Sequence, residues 1–181
     1  MMAIDRRNLL SVLAASLLPA RASAVDLPLA ELPGNVAAPE FELPDLSGKM
    51  QRLSAFRGRP VLVNFWAVWC PPCRRELAEL AALRRSLADT PYEIFALNLG
   101  DSAERINAFL ANYPAPNLPI LLDADKTSAA PWHIAALPVA YAIDPSGVLR
   151  LGAIGERDWR SPEIERQLRS LVRTTSKPAL E

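Results

Sequence analysis

Val61-Leu62-Val63-Asn64-Phe65-Trp66-Ala67-Val68-Trp69-Cys70-Pro71-Pro72-Cys73-Arg74-Arg75-Glu76 joins a strand to a helix through a dithiol. Its first six residues form an apolar run of strand composition. From Arg74 to Leu87 the apolar positions recur with helical period. Cys70 and Cys73 are the chain's two cysteines. A Cys-x-x-Cys at a strand-to-helix junction reads as a redox pair.

Disulfide exchange is carried by a thiolate, and a free cysteine, with a pKa near ~8.5, is mostly protonated at neutral pH. A helix start helps, because its first N–H groups are unpaired and partly positive. The motif places Cys70 at the N-cap and Pro71 and Pro72 at the first two helical positions, where proline is tolerated. The prolines remove two donors, so the N–H of Cys73 is left to serve the Cys70 sulfur. Cys70 is therefore expected to be the exposed nucleophile and Cys73 the resolving thiol. The alternatives are weaker. A structural disulfide across so short a loop adds little. Zinc wants about four ligands, and the chain offers two cysteines and one histidine, His133. Copper held by Cys70, Cys73 and His133 is a rival reading, since thiolates suit Cu(I). A peroxidase uses a peroxidatic loop rather than this spacing. Dithiol chemistry calls for no cofactor and no metal.

The N-terminus reads as an export signal. Arg6-Arg7 precedes an apolar run from Leu9 to Leu18, and Ala22-Ser23-Ala24 is a small-x-small cleavage site. The run is shorter than the ~20 residues that span a bilayer. Residues 1–24 are expected to be removed, with an uncleaved signal anchor as the alternative. The expected location is the periplasm, an oxidising compartment. Residues 25–38, rich in proline and alanine, read as a linker, residues 39–174 as one domain, and residues 175–181 as a polar tail. The formal net charge is +0 and no basic run is present, which argues against nucleic acid as a partner. A monomer is expected.

Turn signals divide the domain. Pro44 to Gly48 separates two short strands, 41–43 and 50–53, as a hairpin, and 54–57 is a helical turn. The strand 61–66 and helix 73–88 follow, then a strand at 92–99 and a helix from 102 to 112. A strand at 118–122, a short helix at 127–133 and a strand at 139–143 come next. Asp144-Pro145-Ser146-Gly147 turns into a strand at 148–154, and Ser161-Pro162 opens a last helix to Arg173. The alternation predicts an α/β three-layer sandwich with a mixed sheet.

The 61–76 stretch resembles the active-site signature of TlpA/ResA/CcmG-type thioredoxins. Leu137-Pro138-Val139-Ala140-Tyr141-Ala142-Ile143-Asp144-Pro145-Ser146-Gly147 resembles that family's cis-proline strand and hairpin, and Gly155-Glu156-Arg157-Asp158-Trp159 fits its C-terminal pattern. The resemblance covers residues 36–173. It implies a thioredoxin-like fold with an N-terminal β-hairpin and a central helix-strand insertion at 102–122. It also implies a reductant of protein disulfides, apocytochrome c among them, or a factor in oxidase assembly. Such proteins are recharged by an inner-membrane electron donor of the CcdA/DsbD type. An oxidant or isomerase using the same dithiol is the same-class rival. Ala136, Val139 and Ala140 depart from the family's glycine and Thr-Thr around the proline, at positions bordering the substrate groove.

Glu76 recurs with Leu80, Leu83 and Leu87 at spacings of three and four, inside the apolar stripe. The bland reading is a first-turn glutamate favoured by the helix dipole. The sharper reading is a buried acid that relays a proton for Cys73. The resemblance supports the second, since plain thioredoxin carries its buried aspartate where this chain has Asn64. It also implies a cis bond before Pro138 and a substrate-binding rim of Trp69, Pro71, Pro72, Leu137 and Pro138. Trp66, Trp132 and Trp159 read as packing residues.

Overall fold

The computed structural model describes residues 27–173. The expected signal at 1–24 and tail at 175–181 lie outside the described residues. At the centre is β4 (Val61–Trp66), buried along its whole length. A strand covered on both faces carries no polar alternation, which is why it reads as one apolar run. Beside it lie β5 (Glu93–Leu99) and β6 (Ile120–Asp123), both parallel to it in the sheet. On its other side β7 (Val139–Ile143) runs antiparallel, followed by β8 (Leu149–Ile154) and β1 (Ala30–Glu31). The order β1-β8-β7-β4-β5-β6 makes a mixed, six-stranded sheet.

The two parallel connections carry α1 (Pro71–Ser86) and α2 (Ala103–Asn112). Right-handed crossovers that step in one direction place both helices on one face. The final helix α3 (Pro162–Arg173) joins them through Ile164 and Leu168. Alternation along β4 sends Leu62, Asn64 and Trp66 toward this helical layer and Val61, Val63 and Phe65 away from it. The opposite face is covered without an α-helix. The hairpin of β2 (Glu42–Pro44) and β3 (Met50–Arg52), the 3-10 turn Leu53–Phe56 and the segment around Trp132 form this third layer. The result is the expected three-layer sandwich with its hairpin and its α2–β6 insertion.

Two expectations are corrected. The short helix at 127–133 is a chain of turns. Lys126 and His133 take positive φ of 58° and 53° at its two ends. Asp123 instead organises it, its carboxylate accepting from the N–H of Thr127 and Ser128 at 2.8 Å. Nor are the described residues of the expected linker, 27–38, a plain linker. Ala30 and Glu31 pair with Gly152 and Leu151 of β8, and Ala37 bridges Val148. Leu29 is buried, and its N–H and C=O are both met by the Gln167 side-chain amide, at 2.9 and 3.0 Å. A two-residue strand has no periodicity of its own to betray it, and its order comes from a partner more than a hundred residues away.

Candidate active site

β4 ends at Trp66, and a tight turn closed by Cys70 N–H donating to Ala67 O (3.1 Å) leads into α1. Cys70 is the N-cap, with Pro71 and Pro72 beginning the helix. The N–H of Cys73 donates to Cys70 Sγ at 3.4 Å, and the two sulfurs form a disulfide. Cys70 was expected to be exposed, yet it is 2% exposed. Bonded to the wholly buried Cys73, its sulfur turns inward, and the residue joins the cluster containing Trp66 and Ala67. The exposed neighbours are Pro71 and, above all, Trp69 at 63%.

The register of β7 against β4 pairs Val139 with Phe65, so Pro138 lies beside the carboxyl end of β4 where the dithiol begins. The Leu137–Pro138 bond is cis. Leu137 is half-buried and packs against the cluster that holds both cysteines. The Pro138 carbonyl accepts from Gly155 N–H at 2.8 Å. Gly155 has φ of +84°, a conformation glycine adopts without strain, and there the chain leaves β8. Ile154, just before it, is 72% exposed. This apolar rim residue was missed in the sequence because a strand-end isoleucine looks like any other.

Glu76 is 1% exposed and lies one turn beyond Cys73 on the same side of α1. Its Oε1 accepts from Arg157 N–H at 2.8 Å and its Oε2 from Asn64 Nδ2 at 3.3 Å. The Trp159 indole N–H is near enough to favour the ionised acid but makes no hydrogen bond of ordinary geometry. Burial dominates and pushes the Glu76 pKa up to about 7, against the pull of these three donors. The Arg157 donor was invisible in the sequence, being a backbone group 81 residues away. Arg75 ties the same two segments together, its guanidinium forked on Glu156 at 2.6 and 2.7 Å.

Asp101, which no sequence pattern singled out, is buried beneath the active-site loop. Its Oδ2 accepts from Val68 N–H at 2.7 Å and Asn98 Nδ2 at 3.1 Å, and Oδ1 faces Arg105 Nε at 3.1 Å. Ser102, not Asp101, caps α2. His133 is exposed on the far layer. Among the described residues no three His, Cys, Asp or Glu side chains gather where a metal could be held, so His133 does not join the cysteines.

Residues 35–151, more than half of the chain, match the AhpC/TSA family. The chain belongs to this family. Its relatives include the thiol-disulfide oxidoreductase ResA of Bacillus subtilis (strain 168), 34% identical over 110 residues. That match covers 61% of each chain. The thiol:disulfide interchange protein DsbE of Vibrio cholerae is 33% identical, over 72% of this chain and 73% of that one. The crystal structure of a DsbE-type thiol:disulfide interchange protein from Chlorobium tepidum superposes with a TM-score of 0.71 at 26% identity, covering 78% of this chain and 99% of that one. The fold is thioredoxin-like, and the resemblance read from residues 61–76 leads to the same ResA and DsbE relatives.

Proposed function

We propose that this family member is an exported thiol-disulfide oxidoreductase that reduces disulfides of other exported proteins. The observation that carries the reading is the Cys70–Cys73 pair at the N-cap of α1, with the Cys73 N–H directed at Cys70 Sγ. In the reduced protein that N–H and the helix start favour a thiolate on Cys70. The thiolate attacks one sulfur of a substrate disulfide, forming a mixed disulfide and expelling the other sulfur as a thiolate that takes up a proton. Cys73 then loses its proton to Glu76 and attacks Cys70 Sγ. The second substrate sulfur leaves as a thiolate and takes up the proton that Glu76 received, the protein disulfide closes, and two electrons have passed to the substrate. Trp69, Pro71, Pro72, Leu137, Pro138 and the newly recognised Ile154 form the surface on which the substrate lies.

Apocytochrome c or an oxidase-assembly protein is the proposed substrate, in line with the family resemblance. The site is proposed to be periplasmic, where the closed disulfide is reopened by a membrane dithiol donor of the CcdA/DsbD type. No helix among the described residues is long and apolar enough to cross a membrane. The remaining domain boundaries, a signal at 1–24 and a tail from 175, belong to the same proposal.

The test is capture. A Cys73→Ser protein should accumulate mixed disulfides through Cys70, and Cys70→Ser should accumulate none. Equilibration of the native pair against glutathione fixes the direction. A potential at the strongly oxidising value of DsbA-type proteins, about −120 mV, would overturn the assignment as a reductant.

A further inference from the structure

Beside the dithiol a groove of about 510 Å³ opens between α1 and the end of α2. Pro71, Arg74, Arg75 and Ala78 form one wall and Asn112, Tyr113 and Pro114 the other. The groove begins at Pro71, the residue after the nucleophile. No acidic side chain lines it.

Arg74 is the unusual group. The first turn of a helix favours acids and disfavours cations, yet α1 has no acid in its first turn, and Arg74 and Arg75 follow directly. Arg75 has its counter-charge in Glu156. Arg74 has no carboxylate partner among the described residues. Its guanidinium is stacked instead against Phe109 and Tyr113, 5.4 and 5.2 Å from the ring centres. Those two rings are themselves stacked, 5.0 Å apart at 16°. The aromatic pair fixes the cation's position and leaves its in-plane donors free for an anion. A placed, uncompensated guanidinium at the mouth of an apolar groove fits a carboxylate.

We infer that this groove binds a stretch of the disulfide-bearing substrate chain, and that Arg74 selects substrates with an acidic residue near the attacked cysteine. The inference rests on the oxidoreductase reading above. Four helical residues rise about 6 Å, so an extended chain held at Cys70 brings an acid about two to four residues from its cysteine under Arg74. Arg74 acts here as a specificity residue and touches none of the reacting sulfurs.

The experiment uses three synthetic peptides with one internal disulfide, identical except for Glu, Gln or Lys at the third residue from the attacked cysteine. The protein is reduced with dithiothreitol and desalted, so that its own dithiol supplies the two electrons, and single-turnover rates are followed at low salt. The Glu peptide should react about two- to five-fold faster than the Gln peptide, the range of one exposed charge pair, and the Lys peptide slower than both. The difference should shrink at 0.5 M salt. Arg74→Gln should erase the ranking, while Arg85→Gln, exposed on the last turn of α1, should keep it. Equal rates for the three peptides with the native protein, or an unchanged ranking in Arg74→Gln, overturns the inference and leaves the oxidoreductase reading standing. Reaction with none of the peptides overturns both.

Discussion

Glu76 is an acid kept where water cannot stabilise its charge. Burial raises its pKa from 4.5 to about 7, so the native state holds a proton that the unfolded chain has already released. The stability tied to this proton is fully present below about 4.5 and is lost as pH rises through about 7. Glu76→Gln removes the dependence. Urea unfolding of the oxidised protein should therefore show the variant gaining about 1–3 kcal/mol on the native protein between pH 4.5 and pH 8.5. Reduction rates should change too, the native pH profile losing its inflection near 7 in the variant. A variant whose stability and rate follow the native pH curves would rule out the proton-relay role.

At the scale of elements, the loop between β4 and α1 is held from below. Asp101 binds Val68 N–H, and through it sets the turn that carries the exposed Trp69. Asp101→Ala leaves that N–H and Asn98 Nδ2 buried without their acceptor, at a cost of about 2–4 kcal/mol. Asp101→Asn, which keeps an acceptor oxygen, should recover part of it. Chemical denaturation of both variants checks this, and a loss in Asp101→Ala below about 0.5 kcal/mol would show that the loop stands without the carboxylate. The strand-dithiol-helix unit was legible in the sequence because every part of it is local: an apolar run, two prolines at a helix start, a helical stripe. The Asp101 contact was not, because its meaning depends on Val68, 33 residues earlier. Burial of Glu76 was legible from its place among Leu80, Leu83 and Leu87. The Arg157 N–H that partly offsets that burial was not, since a backbone donor leaves no mark in a side-chain pattern. The expected helix at 127–133 gives way to turns because Pro131 lacks the N–H a helix needs there and the deciding bonds come from Asp123.

Over the whole molecule, β1 closes an edge of the sheet. Without it β8 would offer a row of unpaired backbone groups to any other strand. Deleting residues 1–32 removes the ladder to Gly152 and Leu151, the Leu32 N–H bond to Arg150 O and both bonds to Gln167. Sedimentation should then show self-association that rises with concentration more steeply than for the intact chain, and a deletion protein that sediments like the intact chain would show that the edge is harmless. The direction of β1 has another consequence. Ala30 lies opposite Gly152, Val139 opposite Ile154, and Val139 beside Phe65, so the chain enters the sheet from the end that carries the dithiol. Three strand spacings, about 14 Å, separate that entry from β4. A bulky carrier joined just before Leu29 would thus crowd the reactive end and slow disulfide exchange.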